Sequence, residues 1–277
     1  MRALRSVTCQ SFDDLEIIVV DDGSTDETVA IVEAAHIPNL TLIRHPWNQG
    51  AAAARNTGIR ASRGRYVAFL DSDDVWAPEK LTRQLSKLDR VLADIMACTS
   101  GYCLHRHGTK VSIPNDLSPG QFRQQILFGC SISPGTTLVV DRRVFDKIGF
   151  FDVTLRRLED WDWLLRFAEH YDMTSVTEPL ADVYLEPTSR PELVLDALRR
   201  IRTTHLRRLS SWTARRQLLS SVLVEHAAVM NRSGKPLCAV LIILASLALY
   251  PFRNAAFYRT ISRAFLRKSR HFQVQAI

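Results

Sequence analysis

Three groups of carboxylates stand out by residue type and spacing. Asp21-Asp22 ends the apolar run LEIIVV (15–20), and Asp71-Ser72-Asp73-Asp74 ends RYVAFL (65–70). Glu159, Asp160 and Asp162 form the third group, interleaved with Trp161 and Trp163. Carboxylates this close repel, so either water at a solvated strand end or a cation in a site must neutralise them. Side chains at i and i+2 of an extended segment point the same way, which lets Asp71 and Asp73 face one crevice. A Mg²⁺ held by one or two carboxylates and completed by phosphate and water suits such a pair. Aspartate at a strand end is also ordinary turn chemistry. Two clusters on equivalent strand ends tip the balance towards a metal–phosphate site. The acids of the third group crowd the first turn of a helical pattern, where the helix dipole favours negative charge. They either stabilise that terminus or present a general base to the crevice.

The elements that must position these groups alternate. LEIIVV and RYVAFL are apolar nearly throughout, as strands buried on both faces of a parallel sheet are. Between them, STDETVAIVEAAH has Ser24 and Glu27 at capping-box spacing, LTLIR (40–44) reads as a short strand, and GAAAARNTGIRAS is rich in helix formers. Pro78 opens the helical pattern PEKLTRQLSKLDR. Strand and helix in alternation imply an α/β domain. Ligands of such sheets bind beyond the carboxyl ends of the strands, so the first two acid clusters are expected to line one crevice. Further on, DIMACTSGYCLH and TTLVV read as strands. LEDWDWLLRFAEHY reads as a helix whose buried face is Leu158, Trp161, Leu165 and Ala168. Beyond Arg190 only helical patterns remain, broken at Gly234-Lys235-Pro236 and near Pro251.

Composition sets the frame. The chain has 277 residues, 46% hydrophobic and 23% charged, which excludes a disordered chain and allows one large domain with an appendage. Five cysteines, odd in number and without a CxxC pair, read as reduced thiols of a cytosolic protein rather than a zinc site. MRALRSVTCQSF has no apolar h-region, so no signal peptide is expected. The longest apolar run, LCAVLIILASLALY (237–250), is shorter than the ~20 residues of a membrane-spanning helix. The net charge of +7 is uneven: residues 190–277 hold 16 Lys and Arg against 3 Asp and Glu, and residues 1–189 hold 20 against 26. The expected organisation is an α/β domain over residues 1–189 and a basic helical extension over 190–277. Interleaved arginines, Leu and Trp212 in that extension suit an anionic membrane surface. No nucleic-acid motif accompanies the charge, so no nucleic-acid partner is expected.

Three phrases together resemble family 2 glycosyltransferases of the GT-A fold, from about residue 2 to 185. They are QSFDDLEIIVVDDGSTDET, NQGAAAARNTGIRASRGRYVAFLDSDDVWAPEKL and SPGTTLVVDRRVFDKIGFFDVTLRRLEDWDWLLR, in the family's order and spacing. The resemblance implies a mixed sheet flanked by helices and inverting transfer of a sugar from a nucleotide donor, with Mn²⁺ or Mg²⁺. It implies that Asp22 meets the nucleobase, that Asp71-Ser72-Asp73 is the DxD motif with Asp71 near the ribose and Asp73 at the metal, and that Asp160 is the catalytic base. A saccharide or lipid-linked acceptor and a part in cell-surface polysaccharide synthesis follow from the same resemblance, in the cytoplasm and peripheral at the inner face of the membrane. The strand that usually opens the family has no counterpart in MRALRSVTCQ. A chain shorter than the functional protein, with open pairing beside residues 15 to 20, is therefore expected.

Two rivals compete. Asp71-Ser72-Asp73-Asp74-Val75 also fits the DxDx[TV] motif of haloacid-dehalogenase-like phosphatases, but that leaves VVDDGSTD and LEDWDW unexplained. An inactive glycosyltransferase-like binding or scaffold protein, or a gene fragment, is the non-enzyme alternative.

Overall fold

The structure, a computed structural model, describes residues 1–91, 94–106, 108–118, 120–184 and 190–251. The chain divides into two compact units, Met1–Gln124 with Ile132–Thr188, and Gln125–Ser131 with Ser189–Ile277. A short segment from inside 1–189 thus joins the helical unit.

In chain order the first unit contains α1 (Arg2–Thr8), β1 (Ile17–Asp21), α2 (Thr28–Ala34), β2 (Leu40–Arg44), α3 (Ala51–Ala61), β3 (Tyr66–Ala68) and β4 (Val75–Trp76). It continues with α4 (Lys80–Leu88), β5 (Ile95–Arg106) and β6 (Thr109–Ile113), and reaches α5 (Phe122–Gln125) at the boundary between units. After the boundary segment come α6 (Pro134–Thr137), β7 (Val139–Asp141), α7 (Arg143–Ile148), α8 (Glu159–His170) and β8 (Asp172–Tyr184).

The strands form two sheets. β1 pairs only with β2, in parallel, from Ile17 opposite Leu40 to Asp21 opposite Arg44. Its other edge carries no strand among the described residues, which is the open pairing expected beside residues 15 to 20. The second sheet runs β3-β7-β5-β8-β4, with β6 on β5, and mixes parallel and antiparallel pairs. RYVAFL therefore departs from expectation: only Tyr66–Ala68 is strand, half-buried and antiparallel to β7. The middle of β1 is also only half-buried. Continuous apolar runs here mark strands at sheet edges, and periodicity alone cannot separate that from full burial.

Two further expectations change. α2 starts at Thr28 with Glu27 as an N-cap lacking a side-chain bond. No capping box forms: Asp21 takes the Ser24 amide that Glu27 would need, and the helix starts later, with Asp26 accepting from the Thr28 amide. In α8 the buried set extends past one stripe to Trp161, Trp163, Leu164, Leu165 and Phe167, since the helix packs on more than one side. Trp163 stacks between Phe151 and Phe167 and donates its indole N–H to the Gly149 carbonyl at 3.0 Å. Trp76, Leu81, Leu88, Cys98, Tyr102, Val139, Ala181 and Val183 form the core against the second sheet.

The strand order explains where the second acid cluster sits. β3 and β4 are neighbours in sequence but lie at opposite ends of the sheet's order. The link between them must cross about four strand spacings, ~19 Å at ~4.8 Å each, which six intervening residues can span. It crosses at the strand ends, carrying Asp71–Asp74 with it.

The second unit consists of a single 3₁₀ turn (Ile126–Phe128), α9 (Pro191–Arg208), α10 (Trp212–Arg232) and α11 (Pro236–Leu249) among the described residues. Pro191 and Pro236 each open a helix, where their missing N–H costs nothing. α10 and α11 are joined by Ser220 and Ser246, whose hydroxyls bond each other at 3.0 Å, and Phe128 packs on Tyr250. No described helix is long and apolar enough to cross a membrane.

Candidate active site

The crossing segment is a β-turn rather than an extended strand end. The Asp74 N–H donates to the Asp71 carbonyl at 3.1 Å, so Asp71 and Asp73 do not share the alternation of a strand. Asp74 is the anchor of this turn. Its buried carboxylate accepts from the Thr136 hydroxyl and from the Tyr184 N–H at 2.8 Å. Thr136 is held in turn by its carbonyl, which accepts from the Trp76 indole at 2.7 Å. Burial pushes Asp74 up to about 6 against those two bonds, with the charges of Asp71 and Asp73 adding to the rise.

Asp71 points to Arg55 of α3. The Arg55 guanidinium donates to Asp71 Oδ1 at 2.8 Å and to Glu159 Oε1 at 2.7 Å, so one fork joins the crossing turn to the start of α8. Burial alone would lower the Arg55 pKa, but Asp71 and then Glu159 outweigh it and hold the guanidinium charged. The Asp71 side chain is 47% exposed and that of Glu159 12%, so Asp71 is the partner a ligand can reach. The close fit needs Gly135: a Cβ there would lie 2.4 Å from Asp71 Oδ2 and 2.7 Å from Arg55 Nη2.

Asp160 follows Glu159 in the first turn of α8. Leu158, in the left-handed region at φ 59°, turns the chain into the helix, and Asp160 Oδ1 accepts from the Trp161 N–H at 2.7 Å. Withdrawal from water pushes Asp160 up to about 6, the Glu159 charge adds to this, and Arg55 opposes it. Asp162 points elsewhere. It is buried and paired with Arg166, whose fork also donates to the carbonyls of Ile148 and Phe150. Asp162 thus fastens α8 to the preceding loop.

Asp22 lies in a separate cluster. One oxygen accepts from Gln49 N–H at 2.9 Å and meets His45 Nδ1 at 2.7 Å, and the other accepts from Gly50 N–H at 2.7 Å. Partial burial would raise its pKa, but His45 and these two amides outweigh that and hold Asp22 below the usual carboxylate range. His45 reaches on to the Thr57 hydroxyl at 2.9 Å. Asp22 therefore fixes the turn that opens α3, and three of its roughly four acceptor positions are used.

Asp73 is exposed at the outer corner of the turn, and its carbonyl accepts from Arg2 at 2.9 Å while Arg2 lies over the Tyr184 ring. Among the described residues no group of three or more His, Cys, Asp or Glu is placed to hold a metal. Exposed Asp73 and half-exposed Asp71 supply hard oxygen donors on the same turn. That donor set fits a divalent cation that keeps water and takes most of its ligands from a diphosphate.

The structure thus brings Asp71 and the Glu159-Asp160 pair around Arg55, and gives Asp22 and Asp73 partners outside that cluster. Sequence reading missed Arg55, Gly135, Thr136 and His45. Arg55 carried one signal, a lone cation in the alanine-rich segment AAAARN. The others act through packing and leave no local mark.

The model of the family described as Glycosyl transferase family 2 matches residues 1–149, more than half of the chain. An uncharacterized glycosyltransferase of Haemophilus influenzae is 32% identical over 180 residues, 64% of this chain and 60% of that protein. The UDP-Glc:alpha-D-GlcNAc-diphosphoundecaprenol beta-1,3-glucosyltransferase WfaP of Escherichia coli is 29% identical over 150 residues, 53% of this chain and 57% of its own. The chain thus spans less than two thirds of these curated relatives. Among solved structures, Staphylococcus aureus TarS 1-349 in complex with UDP superposes with a TM-score of 0.64 at 18% identity, covering 100% of this chain and 89% of that one. The mannosyltransferase PcManGT of Pyrobaculum calidifontis, solved with GDP-Man and Mn²⁺, gives 0.59 at 18% identity, over 95% and 74%. The fold is GT-A, and with the sequence match the chain belongs to glycosyl transferase family 2, as a glycosyltransferase.

Proposed function

We propose that this glycosyltransferase moves a sugar, with inversion, from a nucleoside-diphosphate donor to the hydroxyl of a saccharide or lipid-linked acceptor during cell-surface polysaccharide synthesis. Its place is the cytoplasm, at the inner face of the membrane. The observation that carries this reading is the Arg55 fork, which ties half-exposed Asp71 to the α8 terminus bearing Asp160. A donor held at the crossing turn then lies beside a carboxylate of raised proton affinity.

Asp160 is the general base in this reading. A base whose pKa lies near 6 stays ionised at neutral pH and binds a proton more readily than an ordinary aspartate, which suits removal of the acceptor hydroxyl's proton as that oxygen attacks the anomeric carbon. Arg55 keeps Asp71 oriented towards the ribose. Asp22, with one acceptor position left, offers it to a nucleobase N–H. Asp73, with Asp71 beside it, would hold Mn²⁺ or Mg²⁺, which when bound neutralises charge on the leaving diphosphate. The relatives support this class: WfaP is named for a lipid-linked acceptor, a Rhizobium meliloti relative is named for succinoglycan biosynthesis, and PcManGT was solved with Mn²⁺.

Calorimetry with UDP- and GDP-sugars, with and without Mn²⁺ or Mg²⁺, tests the reading, followed by nucleoside-diphosphate release with a lipid-linked saccharide. One donor should bind in a metal-dependent way and turn over. Binding without turnover would instead identify an inert binding protein, and the absence of binding by every donor would overturn the assignment.

A further inference from the structure

Helix α11 has two unlike faces. Ala239 and Ser246 are fully buried, Ser246 against Ser220 of α10. The opposite face carries Leu237, Val240, Leu241 and Leu244, which are 81%, 48%, 66% and 57% exposed, and runs on to exposed Ala248. The spacing 237, 241, 244, 248 is one helical stripe. No charged residue occurs from Pro236 to Tyr250. A helix face that meets water normally carries polar residues, so an apolar one marks a surface built to be covered.

The C-terminal end of the stripe meets a basic cluster. Arg216 donates to the Ala248 carbonyl at 3.4 Å and lies 4.3 Å over the ring of Trp212, itself 68% exposed. An open cleft of about 800 Å³ is lined by Arg207, Trp212, Arg215, Arg216, Leu219 and Leu249 among others. Apolar side chains, an exposed tryptophan and three arginines are therefore continuous. Residues 190–277 carry 16 Lys and Arg against 3 Asp and Glu, so the unit as a whole is strongly cationic.

We propose that this α10–α11 surface docks on an anionic lipid bilayer. Leu237, Val240, Leu241 and Leu244 enter the boundary between headgroups and acyl chains, and Arg207, Arg215 and Arg216 meet lipid phosphates, with Trp212 at the interface. An α11 of 14 residues is about 21 Å long at ~1.5 Å per residue, too short for a hydrocarbon core of ~30 Å, so it lies in the membrane plane. Charge complementarity selects this occupant. A symmetric second copy would bring the same arginines into one interface, and a nucleic acid would meet the arginines but leave the leucine stripe wet. This deepens the reading of a lipid-linked acceptor, and its test needs no sugar transfer, so the two can fail separately.

The test is co-sedimentation of the full chain with phosphatidylcholine vesicles, alone or with phosphatidylglycerol, at low and high salt. Binding should require the anionic lipid and fall with salt. Replacing Arg207, Arg215 and Arg216 together by Gln should weaken it about 100-fold, at roughly fivefold per arginine. Leu241→Gln with Leu244→Gln should abolish it at unchanged circular dichroism, and brominated acyl chains should quench the fluorescence of the parent but less that of Trp212→Phe. Equal pelleting with neutral vesicles, binding that survives both sets of substitutions, or a lipid-free oligomer that Leu241→Gln with Leu244→Gln dissociates would each overturn the assignment.

Discussion

Asp160→Asn separates two consequences of one environment. Withdrawal from water, reinforced by Glu159 and opposed by Arg55, pushes the Asp160 carboxyl up to about 6. Keeping such a group ionised costs the fold about 3 kcal/mol at most, and about 1–2 kcal/mol once solvent screening of a side chain that is not fully buried is allowed for. The folded pKa lies above the unfolded one, so the protonated form is favoured by folding. The cost is absent below pH ~4, where both states are protonated, grows as pH rises, and is complete above pH ~6–7. Asparagine keeps the oxygen that accepts from the Trp161 N–H and removes the charge. The variant should therefore melt about 2–8 °C above the parent at pH 8 and match it near pH 4, at ~2–4 °C per kcal/mol for a domain of this size. Its kcat should fall by roughly 10²–10⁴-fold, the usual contribution of a general base. For the parent, kcat/KM should rise with pH to a plateau with its midpoint near 6. Thermal melts at the two pH values and a nucleoside-diphosphate release assay read both effects. A variant that is less stable at pH 8, or that turns over at the parent rate, refutes the reasoning and leaves Asp160 as a helix-terminus acid.

Arg55→Leu leaves Asp71 and the largely buried Glu159 without their cation; urea denaturation should show a loss of about 3–5 kcal/mol, which Arg55→Lys recovers only in part because it lacks the fork. Asp22→Ala releases His45 and the amides of Gln49 and Gly50, and should cost about 1.5–3 kcal/mol at pH 7 by the same measurement. Because Asp22 lies below the usual carboxylate range when folded, that difference should shrink as pH falls through its folded pKa. Asp73→Ala, on an exposed corner, should leave stability within about 0.5 kcal/mol while removing metal-dependent donor binding in calorimetry.

What the sequence made legible follows from what is local. Acids that end an apolar run and an acid-rich first turn on α8 each depend on neighbours a few residues apart, and each is found; α4, by contrast, starts at Lys80 behind a Glu79 N-cap and leaves Pro78 before the helix rather than at its first position. The antiparallel placement of β3 depends on Val139–Asp141, more than seventy residues further along the chain, and the anchoring of Asp74 depends on Thr136 and Tyr184. Nothing in RYVAFLDSDD encodes those partners. By itself the run predicts a strand feeding an extended pair of aspartates, where tertiary contacts instead make a short edge strand and a turn. The expected capping box fails for a related reason: Ser24 and Glu27 have the right spacing, but Asp21 takes the Ser24 amide that the box needs.

Helix α3 shows where the physical connection between the acid clusters lies. Asp22 holds the turn before it through the Gln49 and Gly50 amides, and about 7.5 Å along from Gly50, at ~1.5 Å per residue, Arg55 takes Asp71 and Glu159. The next residue, Asn56, donates to and accepts from the Phe151 main chain at 2.9 Å each, fixing the loop that leads into α8. Ala52, Asn56 and Ile59 are buried along one side of the helix, so its register is set by packing. A segment whose alanines read only as helix formers thus holds the Asp22 turn, the Asp71 turn and the Asp160 terminus at fixed spacing. A shift of α3 by one residue would rotate Arg55 by about 100° and separate all three at once. The alanines matter for that reason: Arg55 reaches the acids, Asn56 the Phe151 main chain and Thr57 the His45 that meets Asp22, while the alanines stay small enough to pack in a single register.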